Sequence, residues 1–398
     1  MKYIIIVPDG MADNPVEQLG NKTPLEVAKT PHMDYLAQEG LTGLVKTIPD
    51  GMHPGSDIGN MAIMGYDPTI CHTGRAPLEA ANQNIILDEN QVAFRCNFVT
   101  IVDNKMVDYS AGHIKTEEAA LLIDTLNQSI NIENVKFHTG KSYRHLLMIT
   151  PHDPKSFLKI KTTAPHDILG KNISSYLPHG AEAKFLLNLM ERSKEILEHH
   201  PINDVRIDLK ENPANMIWLW GQGSRPMLTT FEKKFGMKGA IISAVDLVCG
   251  IGKLIGLEII DVPGITGYYD TNYLGKAEYA LRSLEKNDFV YIHIEAPDEA
   301  GHSGDIKAKI TAIERIDKDI VGTILKFFDQ QHPFRILLLP DHPTPVELRT
   351  HTADPVGFVM YGTGIEKDGS NLFNERTAKE KGMRFESGES LVNFFIIH

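Results

Sequence analysis

Residues 3–7 (YIIIV), 289–294 (FVYIHI) and 335–339 (RILLL) are short, largely apolar runs, and a Pro-Asp pair lies just beyond each: Pro8-Asp9, Pro297-Asp298 and Pro340-Asp341. Runs of this length without polar alternation suit strands of a parallel sheet covered on both faces. In open α/β sheets, ligands collect beyond the carboxyl ends of the strands. Three aspartates just past three such ends are therefore expected to meet at one edge of one sheet. One Pro-Asp turn says nothing about fold; three point to an α/β chain with an acidic edge.

Imidazoles join these carboxylates. His342 directly follows Asp341, and His351 comes nine residues later in RTHTADP. Asp298 and His302 lie four apart in PDEAGH, a spacing that puts both on one side of a helical turn. In HPGSDIGNM, residues 53–61, Ser56 stands where a helix is ready to begin. Serine there is first of all an N-cap. The opening amides of a helix also lack partners and favour negative charge, so a phosphate on Ser56 would be well placed. Two groups, Asp9/Ser56/Asp341/His342 and Asp298/His302/His351, offer the oxygen and imidazole mix suited to Mn²⁺, Zn²⁺ or Mg²⁺. Ions about 3.5–4 Å apart would clamp the attacking and leaving oxygens of an in-line displacement. A metal on the Ser56 oxygen would help make it a nucleophile.

A chain of 398 residues exceeds most single cores, so two domains are expected, one interrupting the other. The strand-then-ligand pattern stops after Asp67-Pro68, and helices are expected at 116–126 and 181–197. In the second, Phe185, Leu186, Leu189, Met190, Ile196 and Leu197 recur at core-facing spacing. The insert is placed at 68–222, leaving 1–67 and 223–398 as the core. The net charge of −12 argues against nonspecific binding to nucleic acid or an anionic membrane. No apolar stretch approaches the roughly 18 residues of a membrane span, and the N-terminal run is too short for a signal peptide. Three scattered cysteines without a C-x-x-C read as reduced thiols of a cytoplasmic protein.

Longer motifs carry a family likeness: VPDGMAD at 7–13, TPLEVAKTPHMDYLAQEG at 23–40, PGSDIGNMAIMGYDP at 54–68, GRAPLEA at 74–80, NMIWLWGQG at 215–223, GAIISAVDLVCGIGKLIG at 239–256, EAPDEAGHSGD at 295–305 and LPDHPTP at 339–345. The chain resembles the alkaline phosphatase superfamily, and within it the archaeal-type branch of the cofactor-independent (2,3-bisphosphoglycerate-independent) phosphoglycerate mutases. The resemblance implies an alkaline phosphatase-like core with a mainly parallel sheet, interrupted by a smaller α/β substrate domain that closes over the site. It implies two divalent ions, with Ser56 as the phosphorylated nucleophile and the two groups above as ligands. The implied substrates are 3-phosphoglycerate and 2-phosphoglycerate, and the oligomeric state stays open. For the substrate's charges the chain offers His72, Arg75, His113, Lys141, Arg144 and Arg225, arginine being suited to bidentate contact with carboxylate and phosphate. No Arg-Asp pair marks the group that deprotonates the glycerate hydroxyl.

Two further activities share this machinery. Chains resembling this branch have been proposed as homoserine kinases, but Gly140-Lys141-Ser142 lacks a Walker A start, since Val135 stands where the first glycine belongs. Water reaching a phosphoserine would give a phosphatase. A sulfatase is disfavoured by Ser-Asp-Ile-Gly-Asn, and a noncatalytic metal binder would be expected to lack a ligand, whereas all seven positions are filled.

Overall fold

The computed structural model describes residues 1–328, 333–381 and 383–397. Among them are thirteen strands: β1 Lys2–Pro8, β2 Leu41–Val45, β3 Val92–Val102, β4 Lys105–Asp108, β5 Val135–Lys141, β6 Arg144–Ile149, β7 Met216–Ser224, β8 Gly239–Ile242, β9 Glu258–Ile259, β10 Phe289–Ile294, β11 Phe334–Leu338, β12 Val356–Gly362 and β13 Arg384–Phe385. The chain divides into two compact units, Met1–His72 with Met227–His398, and Thr73–Pro226. The division falls a few residues from the expected ends at 68 and 222, for local reasons. The short helix Pro68–Cys71 is tied by its first turn to Asp67 and stays with the first unit. Strand β7 runs past 222 because Ser224 still pairs with Val92.

The first unit is an eight-stranded sheet in the order β13-β2-β12-β11-β1-β10-β8-β9. Its centre is parallel: β1 lies between β10 and β11, with Val7 opposite His293 and Ile6 opposite Leu338. The antiparallel pairings are β11 with β12 and β12 with β2. Ile4, Ile6, Val290, Ile292, Ile336 and Leu338 are sealed from solvent beneath helices, which explains the unalternating sequence of all three central strands. Because these strands are parallel, their carboxyl ends lie along one edge, and Asp9, Asp298 and Asp341 follow there as expected.

The second unit is an antiparallel sheet in the order β4-β3-β6-β5, with β7 also paired to β3. Strand β3 is buried along Val92–Ile101 because β6 and β7 flank it. Helices Thr116–Ser129 and Ala183–Leu197 supply core residues on this sheet, the second through Leu186, Leu189, Met190 and Leu197. Phe185 and Ile196 pack at its margin. Among the described residues no helix is long and apolar enough to cross a membrane.

Candidate metal centre and arginine cluster

At the edge of the first unit's sheet, Asp9, Asp341 and His342 are wholly buried and Asp298 nearly so. Gly10 makes room for them: its φ is +61°, and a Cβ there would stand 2.5 Å from Asp298 Oδ1 and 2.6 Å from Thr344 Oγ1. Its amide donates to Asp341 Oδ1 at 3.2 Å. Ser56 does not cap its helix. Gly55 holds the cap position in an extended conformation, Ser56 opens the helix Ser56–Ile63, and its Oγ lies 3.3 Å from His342 Nε2. Asn60, one turn on, donates to Ser56 O at 2.9 Å and to Asp341 Oδ2 at 2.7 Å, and accepts the Tyr291 hydroxyl at 2.6 Å. The helix carrying the serine is thus pinned to a buried carboxylate.

Helix Ala296–Ser303 sets Asp298 and His302 one turn apart, with His302 Nε2 3.3 Å from Asp298 Oδ2. His351 Nε2 is 3.4 Å from Asp298 Oδ1 and 2.8 Å from His302 Nε2. His342 Nε2 stands 3.5 Å from both Asp9 Oδ1 and Asp341 Oδ2. Ligand atoms of Asp298, His342 and His351 fall within 4.8 Å of one another, and so do those of Asp9, His293 and Asp341. His342 therefore reaches both groups, and His293 joins the oxygen-rich one, its Nε2 2.8 Å from Asp9 Oδ2.

The hydrogen-bond partners on the far side of each ring assign the tautomers. His302 Nδ1 lies 3.1 Å from Arg349 O and His351 Nδ1 3.4 Å from Pro54 O, and a carbonyl only accepts. Thr344 Oγ1 donates to Asp298 Oδ1, so it faces His342 Nδ1 at 3.3 Å as an acceptor. With Nδ1 of each ring turned to these outer partners, His302, His342 and His351 aim Nε2 at the carboxylates, which is how outer partners orient metal-binding imidazoles. Two Nε2 atoms 2.8 Å apart need a cation or a proton between them.

The electrostatics agree. Burial and the charges of Asp341, Glu295 and Asp298 push Asp9 well above the usual carboxylate range. Burial and Asp298 raise Glu295 to about 8. Burial would also raise Asp298, but its hydrogen bonds with His302 and His351 hold it well below. The bond to Asp298 raises His302 to about 9, whereas burial drives His293 down to about 3. Asp9 Oδ1 and Glu295 Oε2 are buried with no hydrogen-bond partner among the described residues. Orphaned oxygens beside crowded carboxylates and facing imidazole nitrogens fit divalent cations.

The second unit holds a cluster of the opposite sign. Arg95, inside β3, is buried between Glu79 and Trp220: its Nη2 lies 2.9 Å and its Nε 3.1 Å from the Glu79 carboxylate, and its guanidinium stacks 4.0 Å from the Trp220 ring centre. Arg144 opens β6 opposite Asn97, two residues from Arg95 and so on the same sheet face. Gly221 brings Arg75 close, since a Cβ there would lie 3.2 Å from Arg95 Cδ and 4.0 Å from Arg75 Cβ. Burial first, then Arg75 and Arg144, lower the Arg95 pKa against the pull of Glu79. His166 packs edge-on against Trp220 at 5.4 Å, and His113 against Tyr143 at 6.0 Å, beside Arg144. His113, Lys141 and Arg225 are exposed, Lys141 opposite Arg144 and Arg225 just past β7. His72 belongs to the first unit, where its Nε2 meets Asp57 Oδ2 at 2.8 Å.

A family profile described as 2,3-bisphosphoglycerate-independent phosphoglycerate mutase matches residues 37–203. A Methanosarcina acetivorans protein named 2,3-bisphosphoglycerate-independent phosphoglycerate mutase is 48% identical over 398 residues, all of both chains. The chain belongs to this family. A solved Pyrococcus horikoshii structure is 30% identical with a TM-score of 0.83, over 99% of this chain and 96% of that one. The cofactor-independent phosphoglycerate mutase of Thermoplasma acidophilum is 27% identical with a TM-score of 0.68, over 100% and 99%.

Three residues of these sites escape a reading of the sequence by turns and motifs. His293 and Arg95 lie inside strands, where the available signal is a lone basic residue interrupting a buried run, and His166 sits in a short 3-10 turn.

Proposed function

We propose that this family member interconverts 3-phosphoglycerate and 2-phosphoglycerate without 2,3-bisphosphoglycerate, by way of a phosphoserine at Ser56. The observation that carries the reading is Ser56 Oγ at a helix start, 3.3 Å from an imidazole shared by two carboxylate–histidine groups. Asp9, Ser56, Asp341 and His342 would hold one divalent ion and Asp298, His302 and His351 the other, with His293 supporting Asp9. Mn²⁺, Zn²⁺ or Mg²⁺ bound there would neutralise the transferring phosphoryl group and make the serine hydroxyl more acidic. Ser56 Oγ forms a bond to phosphorus as the bond to the glycerate 3-oxygen breaks. The glycerate turns, and its 2-hydroxyl takes the group back, regenerating the serine. Arg75 and Arg144 have the charge and side-chain type to hold the carboxylate and phosphate during that turn, with His113, Lys141 and Arg225 as outer contacts, while Arg95, its fork taken by Glu79, adds positive charge. Free, reduced Cys71, Cys96 and Cys249 suit a cytoplasmic enzyme.

Among the described residues nothing favours the kinase or phosphatase alternative. Gly140-Lys141-Ser142 closes the β5–β6 hairpin and opens no helix, so it lacks the setting of a phosphate-binding loop. A phosphorus NMR time course with Mn²⁺-loaded protein and 3-phosphoglycerate, without ATP or bisphosphoglycerate, tests the reading. Growth of 2-phosphoglycerate without free phosphate is expected. An unchanged spectrum, with phosphohomoserine forming when homoserine and ATP are supplied, would overturn the substrate assignment and leave the metal centre standing.

A further inference from the structure

We infer that Lys309 is a positioning residue of the metal centre: it locks together the two ligand-bearing loops, residues 9–13 and 341–346, from beneath. The inference rests on reading the carboxylate–histidine groups as that centre. Lys309 lies in the helix Ile306–Arg315 and is completely buried. Its ammonium donates to Asp13 Oδ2 at 2.7 Å, Thr344 O at 2.8 Å and Ala12 O at 3.4 Å. Ala12 and Asp13 continue the loop begun by Asp9, and Thr344 continues the loop of Asp341 and His342. One side chain therefore bonds both.

The two loops are joined to each other around that cation. Met11 and Ala12 bridge to Pro343, and the Thr344 amide donates to Ala12 O at 3.2 Å. Asp13, paired with Lys309, accepts the Val346 amide at 3.2 and 3.3 Å through its two oxygens. Its own amide donates to Glu375 Oε1 at 3.2 Å, and Glu375 Oε2 accepts the Thr23 hydroxyl at 2.7 Å. The path to the ligands is one residue long. Thr344, whose carbonyl Lys309 holds, gives its hydroxyl to Asp298 Oδ1 at 2.5 Å and faces His342 Nδ1 at 3.3 Å.

A buried ammonium is a costly way to fill space, since an apolar side chain of similar length avoids its desolvation. What lysine adds is a set of tetrahedral donors and a positive charge. Here the donors go to the two loops whose separation sets the ligand geometry, and the charge faces the underside of an acidic cluster. A strut with only a stabilising role would leave ion affinity unchanged once the protein is folded. A positioning strut would not, because outer contacts of metal ligands are typically worth 10- to 100-fold in affinity.

The test uses the full chain stripped by chelator, titrated with Mn²⁺ by calorimetry, with circular dichroism confirming the fold. Lys309→Met and the isosteric Asp13→Asn are each expected to weaken Mn²⁺ binding at least tenfold. Lys234→Met, which breaks the Lys234–Glu389 pair in the same unit, should lower the melting temperature with wild-type affinity retained. Asp13→Asn carries the test if Lys309→Met does not fold. A folded Lys309→Met or Asp13→Asn that binds Mn²⁺ as tightly as wild type overturns the inference and leaves the metal reading intact. A wild-type chain that binds no divalent ion overturns both.

Discussion

In the first unit, Asp9, Asp298, Asp341 and Glu295 crowd the carboxyl ends of parallel strands, and among the described residues Asp9 Oδ1 and Glu295 Oε2 are buried without a directional hydrogen-bond partner. In the second, Arg75, Arg95 and Arg144 gather on an antiparallel sheet, but Arg95 already has Glu79 on its fork and Trp220 on its face. Both gather like charges around a buried member, and the difference lies in what stands against that charge. The arginine cluster holds a carboxylate, Glu79, against its buried member. The carboxylate cluster is faced by imidazoles, with the buried Lys309 ammonium held on Asp13 and the Thr344 carbonyl nearby, and the bond to Asp298 raises His302 to about 9. One cluster has a carboxylate among its cations; the other gathers carboxylates around imidazoles, the donor set that suits a divalent ion.

The contrast is broken most severely at Ser56. Ser56→Ala should cost on the order of 10⁴-fold or more in mutase turnover, as removal of a nucleophile does, with the circular dichroism spectrum unchanged. Turnover near that of wild type would remove the serine from the chemistry. Metal removal should separate the units next. Loading at about 1,000 times the dissociation constant adds roughly 4 kcal/mol to whatever binds the ion. Chelation should therefore raise amide exchange at residues 9–13 and 341–346 and leave the β3, β6 and β7 amides unchanged. Equal deprotection of both sheets would deny the carboxylate site its special dependence on cation.

Arg144→Ala sharpens the comparison from the other side. Removing one fork from a cluster that retains Arg75 and Arg95 should raise KM for 3-phosphoglycerate about 10- to 100-fold with kcat changed far less, the mark of lost ground-state binding. Mn²⁺ affinity should not move. An equal loss in kcat would instead place Arg144 in the transition state.

The same contrast explains what the sequence disclosed. Asp9, Asp298 and Asp341 were legible because a parallel strand followed by Pro-Asp is a local pattern with a fixed destination. His302 followed from helical spacing, and His342 from adjacency. His293 and Arg95 were hidden by their own strands: burial periodicity describes which face a residue shares, but Val7 opposite His293 and Trp220 opposite Arg95 are facts of register. Ser56 was ambiguous for a related reason. Pro-Gly-Ser permits either the glycine or the serine to cap, and the choice made here, Gly55, is tied to His342 lying across from the hydroxyl, 286 residues away in sequence.

The smallest effect concerns the support beneath the carboxylates. Glu375 is partly buried, and desolvation raises its pKa from an ordinary 4.5 to about 7 despite hydrogen bonds from Thr23 and Asp13. The folded state therefore binds this proton more tightly than the unfolded state does. The resulting stability is fully present below about pH 4.5 and is lost as pH rises through 7. Between pH 5.5 and 6.5 wild-type stability should fall by about 1 kcal/mol through this group alone, and Glu375→Gln should not show that fall. Denaturant titrations of both proteins, stripped of metal, at the two pH values would measure it. Parallel pH dependence would mean that Glu375 is ionised across this range and that Lys309 balances it together with Asp13.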